Sequence, residues 1–300
     1  MSCGLIKDLR SCVANVRSEK KNMFFFSLAS LAINFLHNYR PQPIIIALGP
    51  IFIYWYGLLV VAAILVGLWL IIKLDKKYQS GLGQEKILDL TIWLIIVGVI
   101  GARLYHVLSE INYYWPRPLE IFYLWHGGLS IFGAIIAGII FLYFYALRRG
   151  RSLWLFLDLL APAVVLGEAI GRFGNWFNQE NFGRPTNLSW GIPIDILHRP
   201  PAYLVQNFFH PTFLYQFFWN LIIFIILLLL MKRWRPGTGM VVGFYLTLYS
   251  LGRFLIEFLR VNPQPMFLGL RLAQIVCLIF FIAGIIVLVI RNRKKLSTGN

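Results

Sequence analysis

Seven apolar runs, each about the length that crosses a bilayer as a helix, divide the chain from residue 51 onward and leave it few ways to fold. They lie at about Ile51–Ile72, Ile87–Leu108, Leu129–Leu147, Leu153–Ile170, Thr212–Met231, Met240–Leu259 and Leu272–Ile290. Within hydrocarbon every backbone N–H and C=O must be satisfied inside its own segment, which selects the α-helix. The predicted class is therefore all-α: a polytopic integral membrane protein with about seven transmembrane helices. With 59% hydrophobic and only 13% charged residues, a soluble domain could not hide its apolar surface.

The net charge of +16 raises the question of nucleic acid, but the cations sit in short clusters between apolar runs. That pattern is the positive-inside signal of a membrane protein, and nucleic acid is excluded as a partner. Lys73, Lys76, Lys77 and Lys86 follow the first span, Arg148, Arg149 and Arg151 the third, Lys232, Arg233 and Arg235 the fifth, and Arg291, Arg293, Lys294 and Lys295 the seventh. Every second connection is basic. This predicts that the first span starts outside and that the C-terminus is cytoplasmic. Residues 41–295 then form one seven-helix transmembrane domain, followed by a tail at 296–300.

Residues 1–40 read as an extension. Lys7, Arg10, Arg17, Lys20 and Lys21 precede Met23, which opens a short apolar run of the signal-like or interfacial kind. Met23 is also a possible biological start. Cys3, Cys12 and Cys277 fit no metal-binding or paired spacing, so neither a metal nor a structural disulfide is expected.

The most polar stretch is GRFGNWFNQENFGRP, Gly171 to Pro185, at the end of the fourth span. Arginine and glutamate beside lipid cost a few kcal/mol, so they face a polar site, a partner or a substrate, or else form an ordinary capped loop. Counted at about 1.5 Å per residue from the basic end, Arg103 stands about 24 Å up the second span, Arg172 about 28 Å up the fourth and Arg253 about 20 Å up the sixth. Topology alone places Tyr56, His126 and His210 on the same outward side. Tyr249, Arg253, Glu257 and Arg260 are spaced four, four and three apart and share one helix face. An internal ion pair between Arg253 and Glu257 would account for two of these charges and leave Arg260 over. Arginine's planar fork suits phosphate oxygens, so a phosphate ester with its acyl chains in the bilayer fits this level. No nucleotide-binding glycine loop, zinc helix or nucleophile elbow is present.

The same stretch, with the Trp-Tyr-Gly containing Tyr56, HGGLS before the third span, HPTFLY at 210–215 and YSLGRFLIEFLR at 249–260, resembles the prolipoprotein diacylglyceryl transferases. The likeness runs from about Gln42 to the last span. It implies a multi-pass enzyme of the bacterial inner membrane, with its active site towards the outer leaflet, that moves the diacylglyceryl group of phosphatidylglycerol onto the lipobox cysteine of a prolipoprotein signal peptide. A thioether forms and glycerol phosphate leaves. The resemblance implies no cofactor, membrane lipid as surroundings and a monomer as the working state. By position in the motifs, Arg172 binds the headgroup and Asn175, Asn178 and Glu180 shape the same pocket. Arg253 steadies the leaving phosphate, Tyr56 and Tyr249 match aromatic site positions, and Glu257 and Arg260 form a supporting pair. Arg103 is expected among the substrate-binding arginines.

Two positions depart from the family pattern. Phe132 stands where some relatives carry a histidine proposed to activate the thiol, which leaves His126 and His210 as candidates for a base, each more readily read as a packing or hydrogen-bonding residue. Gln216 stands where relatives often have Glu. The competing function is a transporter or lipid-binding membrane protein without chemistry, whose charges would sit nearer the midplane between internal repeats.

Overall fold

The computed structural model describes residues 23, 27, 30–49 and 51–297. The seven spans are the helices α1 (Trp55–Tyr78), α2 (Gln84–Ser109), α3 (Ile131–Arg148), α4 (Leu153–Phe177), α5 (Thr212–Arg233), α6 (Met240–Glu257) and α7 (Leu272–Ser297). All seven are long and apolar enough to cross a membrane. Tight turns at 79–83, 149–152 and 234–239 join them at one end; the long connections 110–130, 178–211 and 258–271 lie at the other.

Two buried carboxylates hold the tight end. Asp158 accepts N–H bonds from Gly237 (3.0 Å) and Gly239 (2.8 Å) through Oδ2 and from Val242 (3.0 Å) through Oδ1, so a side chain of α4 caps the start of α6. Asp75 accepts from Leu82 and Gly83 in the same way at the α1–α2 turn. Unpaired N–H groups at a helix start are ready partners for a carboxylate, and the positive end of the helix dipole adds to the attraction.

Helix α4 is the hub. Half of its most apolar window is buried, against 17% for α3 and for α7, and it packs on α1, α3, α5 and α6. The α2–α3 crossing is close because Gly101 and Gly133 face each other: a Cβ on Gly101 would meet the Gly133 carbonyl oxygen at 2.6 Å. Small residues that let backbones approach are the usual device for packing helices in lipid.

The first span begins four residues later than hydropathy predicts. Ile51–Tyr54 is a strand, β2, paired antiparallel with β1 (Ile44–Leu48) in a hairpin that runs into α1. A continuous apolar run reads the same whether it is strand or helix, which is why Ile51 falls inside the predicted span. The connection 178–211 crosses nothing, as predicted, but has a core of its own in which Phe182, Ile192, Ile194 and Phe209 pack with Trp176 and Phe213. A helical segment at 30–38 docks on it: His37 Nδ1 lies 3.0 Å from the Gly191 carbonyl, and Tyr39 packs on Trp176. Cys3, Cys12 and the basic residues before Met23 lie outside the described residues.

Candidate active site

The last turn of α4 and the loop after it form one hydrogen-bonded unit. Arg172 Nη1 donates to Asn175 Oδ1 (3.2 Å), and Asn175 Nδ2 donates to Glu180 Oε1 (2.6 Å). The chain turns back sharply because Gln179 and Asn181 both adopt positive φ, +50° and +60°. Gln179 is buried and fastens the turn, donating to the Pro41 carbonyl (3.0 Å) and to Asp195 Oδ2 (2.6 Å). Asn178 closes the helix, its N–H bonding to the Gly174 carbonyl (3.0 Å). Gly174 has to be glycine because the Tyr56 ring of α1 lies where its Cβ would project. The far end of the loop is stitched to α6 by the Arg184 N–H bond to the Leu259 carbonyl (2.7 Å).

Around the end of α6, one buried carboxylate serves three arginines. Glu257 has no solvent exposure. Its Oε2 lies 2.7 Å from Arg253 Nη1 and 3.6 Å from Arg260 Nη1, and its Oε1 lies 3.2 Å from Arg271 Nη1. The Arg253 contact is an ion pair outside hydrogen-bond alignment. Arg260, just past the helix, also donates through Nε to the Asn181 carbonyl (3.3 Å). Burial, then the like charge of Arg253, lowers Arg260 from the ordinary arginine range to about 9, with Glu257 opposing the shift. It stays cationic at neutral pH.

The two clusters meet. Glu168, one turn before Arg172, is within electrostatic reach of Arg172, Arg253, Tyr245 and Tyr249, and Tyr249 is within reach of both Arg172 and Arg253. Arg172 Nε and Glu168 Oε2 are each buried without a hydrogen-bond partner. Donors left unpaired in a low-dielectric setting are costly on their own and strong once an anion arrives. Arg172, Asn175, Glu180, Tyr56, Tyr249, Arg253, Glu257 and Arg260 are thus brought to one end of the bundle, as the motifs suggest.

Arg103 is occupied elsewhere. Its guanidinium donates to the carbonyls of Glu120 (2.5 Å), Ile121 (2.8 Å), Gly127 (2.7 Å) and Gly128 (3.2 Å), with Tyr123 O at 3.4 Å. Gly127 and Gly128 have φ of +82° and +73°, and a Cβ on Gly128 would strike Arg103 and His106. The glycine pair of HGGLS therefore has a local purpose: it wraps backbone oxygens round a buried cation. With its donors spent on this loop, Arg103 organises the 120–128 connection.

His210 shares a chain of polar groups. Trp190 Nε1 donates to the Tyr215 hydroxyl (3.0 Å), and the same hydroxyl lies 3.0 Å from His210 Nδ1. Burial pushes His210 below its ordinary value, so it is neutral at pH 7. His126 ends the short turn Leu124–His126, and its side chain lies outside the described residues. Phe132 is half exposed beside Tyr105, and Gln216 is buried with Nε2 unpaired.

The sequence profile described as prolipoprotein diacylglyceryl transferase matches residues 43–290. The chain belongs to the prolipoprotein diacylglyceryl transferase family. It is 42% identical over 254 residues to the phosphatidylglycerol–prolipoprotein diacylglyceryl transferase of Synechococcus elongatus, covering 83% of this chain and 87% of that one. The namesakes from Nostoc sp. and Cutibacterium acnes are 42% identical over 262 residues and 39% over 260, covering 84% and 85% of this chain and 91% and 87% of theirs. Membership makes the chain a transferase and sets aside the transporter reading.

Sequence reasoning missed Arg271 and Gln179. Arg271 lies in the short hairpin of β5 (Met266–Phe267) and β6 (Leu270–Arg271), away from any helical period that would place it beside Glu257. Gln179 sat within the polar stretch without a distinguishing neighbour.

Proposed function

We propose that this chain transfers the diacylglyceryl group of phosphatidylglycerol to the lipobox cysteine of an exported prolipoprotein, working as a monomer in the bacterial inner membrane with its site towards the outer leaflet. The observation that carries the reading is the convergence of Arg172 from α4 and Arg253 from α6 on Glu168 and Tyr249, with unpaired donor capacity at Arg172 Nε. Asn175 and Glu180 set the rotamer of Arg172, and Glu257 sets that of Arg253. Tyr56 and Tyr249 flank the headgroup, and Asn178 holds the turn that carries Asn175 and Glu180.

In the reaction the cysteine sulfur attacks the glyceryl carbon bearing the phosphate. The C–S bond forms as the C–O bond breaks, and the electron pair leaves on the phosphate oxygen. Guanidinium donors already aimed at that oxygen stabilise the charge that develops there without reorganising, the most effective use of such groups. A thiol with an ordinary pKa is already a few per cent ionised at neutral pH. With His210 Nδ1 engaged by the Tyr215 hydroxyl and Phe132 unable to accept a proton, we assign no dedicated base, and His210 positions the loop through Tyr215.

The test supplies the purified full chain with phosphatidylglycerol and a lipobox peptide. The peptide is expected to gain the mass of a diacylglyceryl group as glycerol phosphate is released in equal amount. A folded protein that yields neither product contradicts the reading.

A further inference from the structure

Arg271 has no part in the site as the motifs describe it, yet it reaches the same carboxylate as Arg253 and Arg260. Three guanidinium groups contact Glu257, so those four side chains carry a net charge of +2 at the end of α6. Glu168, within reach of both Arg172 and Arg253, does not change that count, because Arg172 adds one positive charge for the negative one that Glu168 brings. Arg271 also takes the Glu257 oxygen opposite to the one used by Arg253 and Arg260, so it closes the cluster from the α7 side.

A second observation on α7 points the same way. Gln274 is buried, at 3% exposure; its Oε1 accepts the Arg271 N–H (3.0 Å) and its Nε2 has no hydrogen-bond partner. Gln274 and Cys277 lie three residues apart on α7, and Arg271 immediately precedes that helix. Arg271 touches Glu257, and Cys277 is within electrostatic reach of Arg253 and Glu257. Gln274, tied through Oε1 to the Arg271 backbone, thus keeps Nε2 as a buried donor without a partner beside the residue that reaches Glu257.

We infer that Arg271, with Gln274 behind it, is a further anion contact of the site, tuned to the leaving phosphate more than to the lipid that enters. The inference rests on the function proposed above. In that reaction the phosphate begins as a phosphodiester with one negative charge and the sulfur as a thiolate with one. When the C–S bond has formed and the C–O bond has broken, the thioether is neutral and the phosphate monoester carries both charges. A +2 cluster over-matches the entering diester and matches the departing dianion. Interactions stronger at the end of a step than at its start lower its barrier, whereas uniform binding only lowers KM.

The experiment measures KM for phosphatidylglycerol, kcat, and inhibition by added glycerol phosphate for the wild type, Arg271→Gln and Arg271→Lys, using the full chain in the same lipid. Loss of one charged hydrogen bond corresponds to about tenfold or more. In Arg271→Gln, kcat is expected to fall and the inhibition constant of glycerol phosphate to rise by about that factor, while KM changes by less than about threefold; Arg271→Lys should recover part of both. Gln274→Leu should raise the inhibition constant in the same direction. KM and the inhibition constant rising together, or neither moving, overturns the inference. If Arg271→Gln does not fold, the split is read from Arg271→Lys and Gln274→Leu. A wild type without turnover would remove the proposed function instead, and direct binding of glycerol phosphate to wild type and Arg271→Lys, tight in the first and weakened in the second, would still support Arg271 as an anion contact; equal binding would overturn it.

Discussion

Arg253 and Glu257 stand one helical turn apart on α6 with Nη1 and Oε2 separated by 2.7 Å, and the carboxylate is wholly buried. Because Arg260 and Arg271 lean on the same group, Glu257 is the counter-charge for the whole end of the bundle. Glu257→Gln keeps the shape but leaves three cations facing one another. Removing one partner of a buried ion pair costs about 3–5 kcal/mol, so the thermal midpoint in detergent is expected to fall sharply and turnover to be lost. An unchanged midpoint would show that water or lipid neutralises these arginines.

Arg103 separates two readings of a buried arginine. Its depth in the second span suggests a substrate contact, whereas its guanidinium is filled by carbonyls of the 120–128 connection. Arg103→Ala is expected to expose that connection to limited proteolysis and to lower stability by several kcal/mol, with each charged hydrogen bond contributing about 1.5–3. Lysine, with three donors on a point charge, should not restore it. An Arg103→Ala protein that stays protease-resistant while its KM for phosphatidylglycerol rises would return Arg103 to the substrate site.

His210 carries a signed pH effect. Burial lowers its pKa from 6.5, so below that value the unfolded chain takes up a proton that the folded chain resists. The stabilising contribution is complete above pH 6.5 and is lost as pH falls through the folded value. His210→Gln should flatten this acid limb of the stability profile and keep turnover within about tenfold, since general-base catalysis contributes more than that. Loss of turnover by a hundredfold or more, with folding intact, would make His210 the base.

Orientation is open to labelling. In a chain whose native cysteines are replaced, Leu268→Cys at the tip of the β5–β6 hairpin and Arg235→Cys at the α5–α6 turn lie at opposite ends of the bundle. The positive-inside rule predicts that the basic turns face the cytoplasm; on that prediction a membrane-impermeant maleimide applied to intact cells labels position 268 and spares 235. The reverse pattern would put the arginine site on the cytoplasmic face.

The spans were legible because hydrophobic length is a strong signal, and the Tyr249, Arg253 and Glu257 face was legible because helical spacing is fixed; Arg260, expected on that face, lies past the end of α6 and reaches Glu257 from the loop. Backbone partners are invisible in a sequence. Arg103 looked like a free cation in a span because nothing in its own helix announces the carbonyls of Gly127 and Gly128, although the adjacent glycines were the clue that a backbone had to bend there. Arg271 escaped because contacts between a hairpin and a helix end follow no period, and the β1–β2 hairpin escaped because its residues are as apolar as the span they adjoin.

The central claim is that Arg172 and Arg253 grip the phosphate of the lipid donor and bear the charge of its departure. Glycerol phosphate release from phosphatidylglycerol, in the presence of a lipobox peptide, tests it most directly when wild type, Arg172→Ala and Arg253→Lys are compared at equal folded amounts. Losing one such preorganised donor costs about 10²–10³ in rate, and lysine lacks the bidentate fork, so both variants are expected to fall by at least that factor with their thermal midpoints retained. Wild-type release by a folded Arg172→Ala protein would contradict the account.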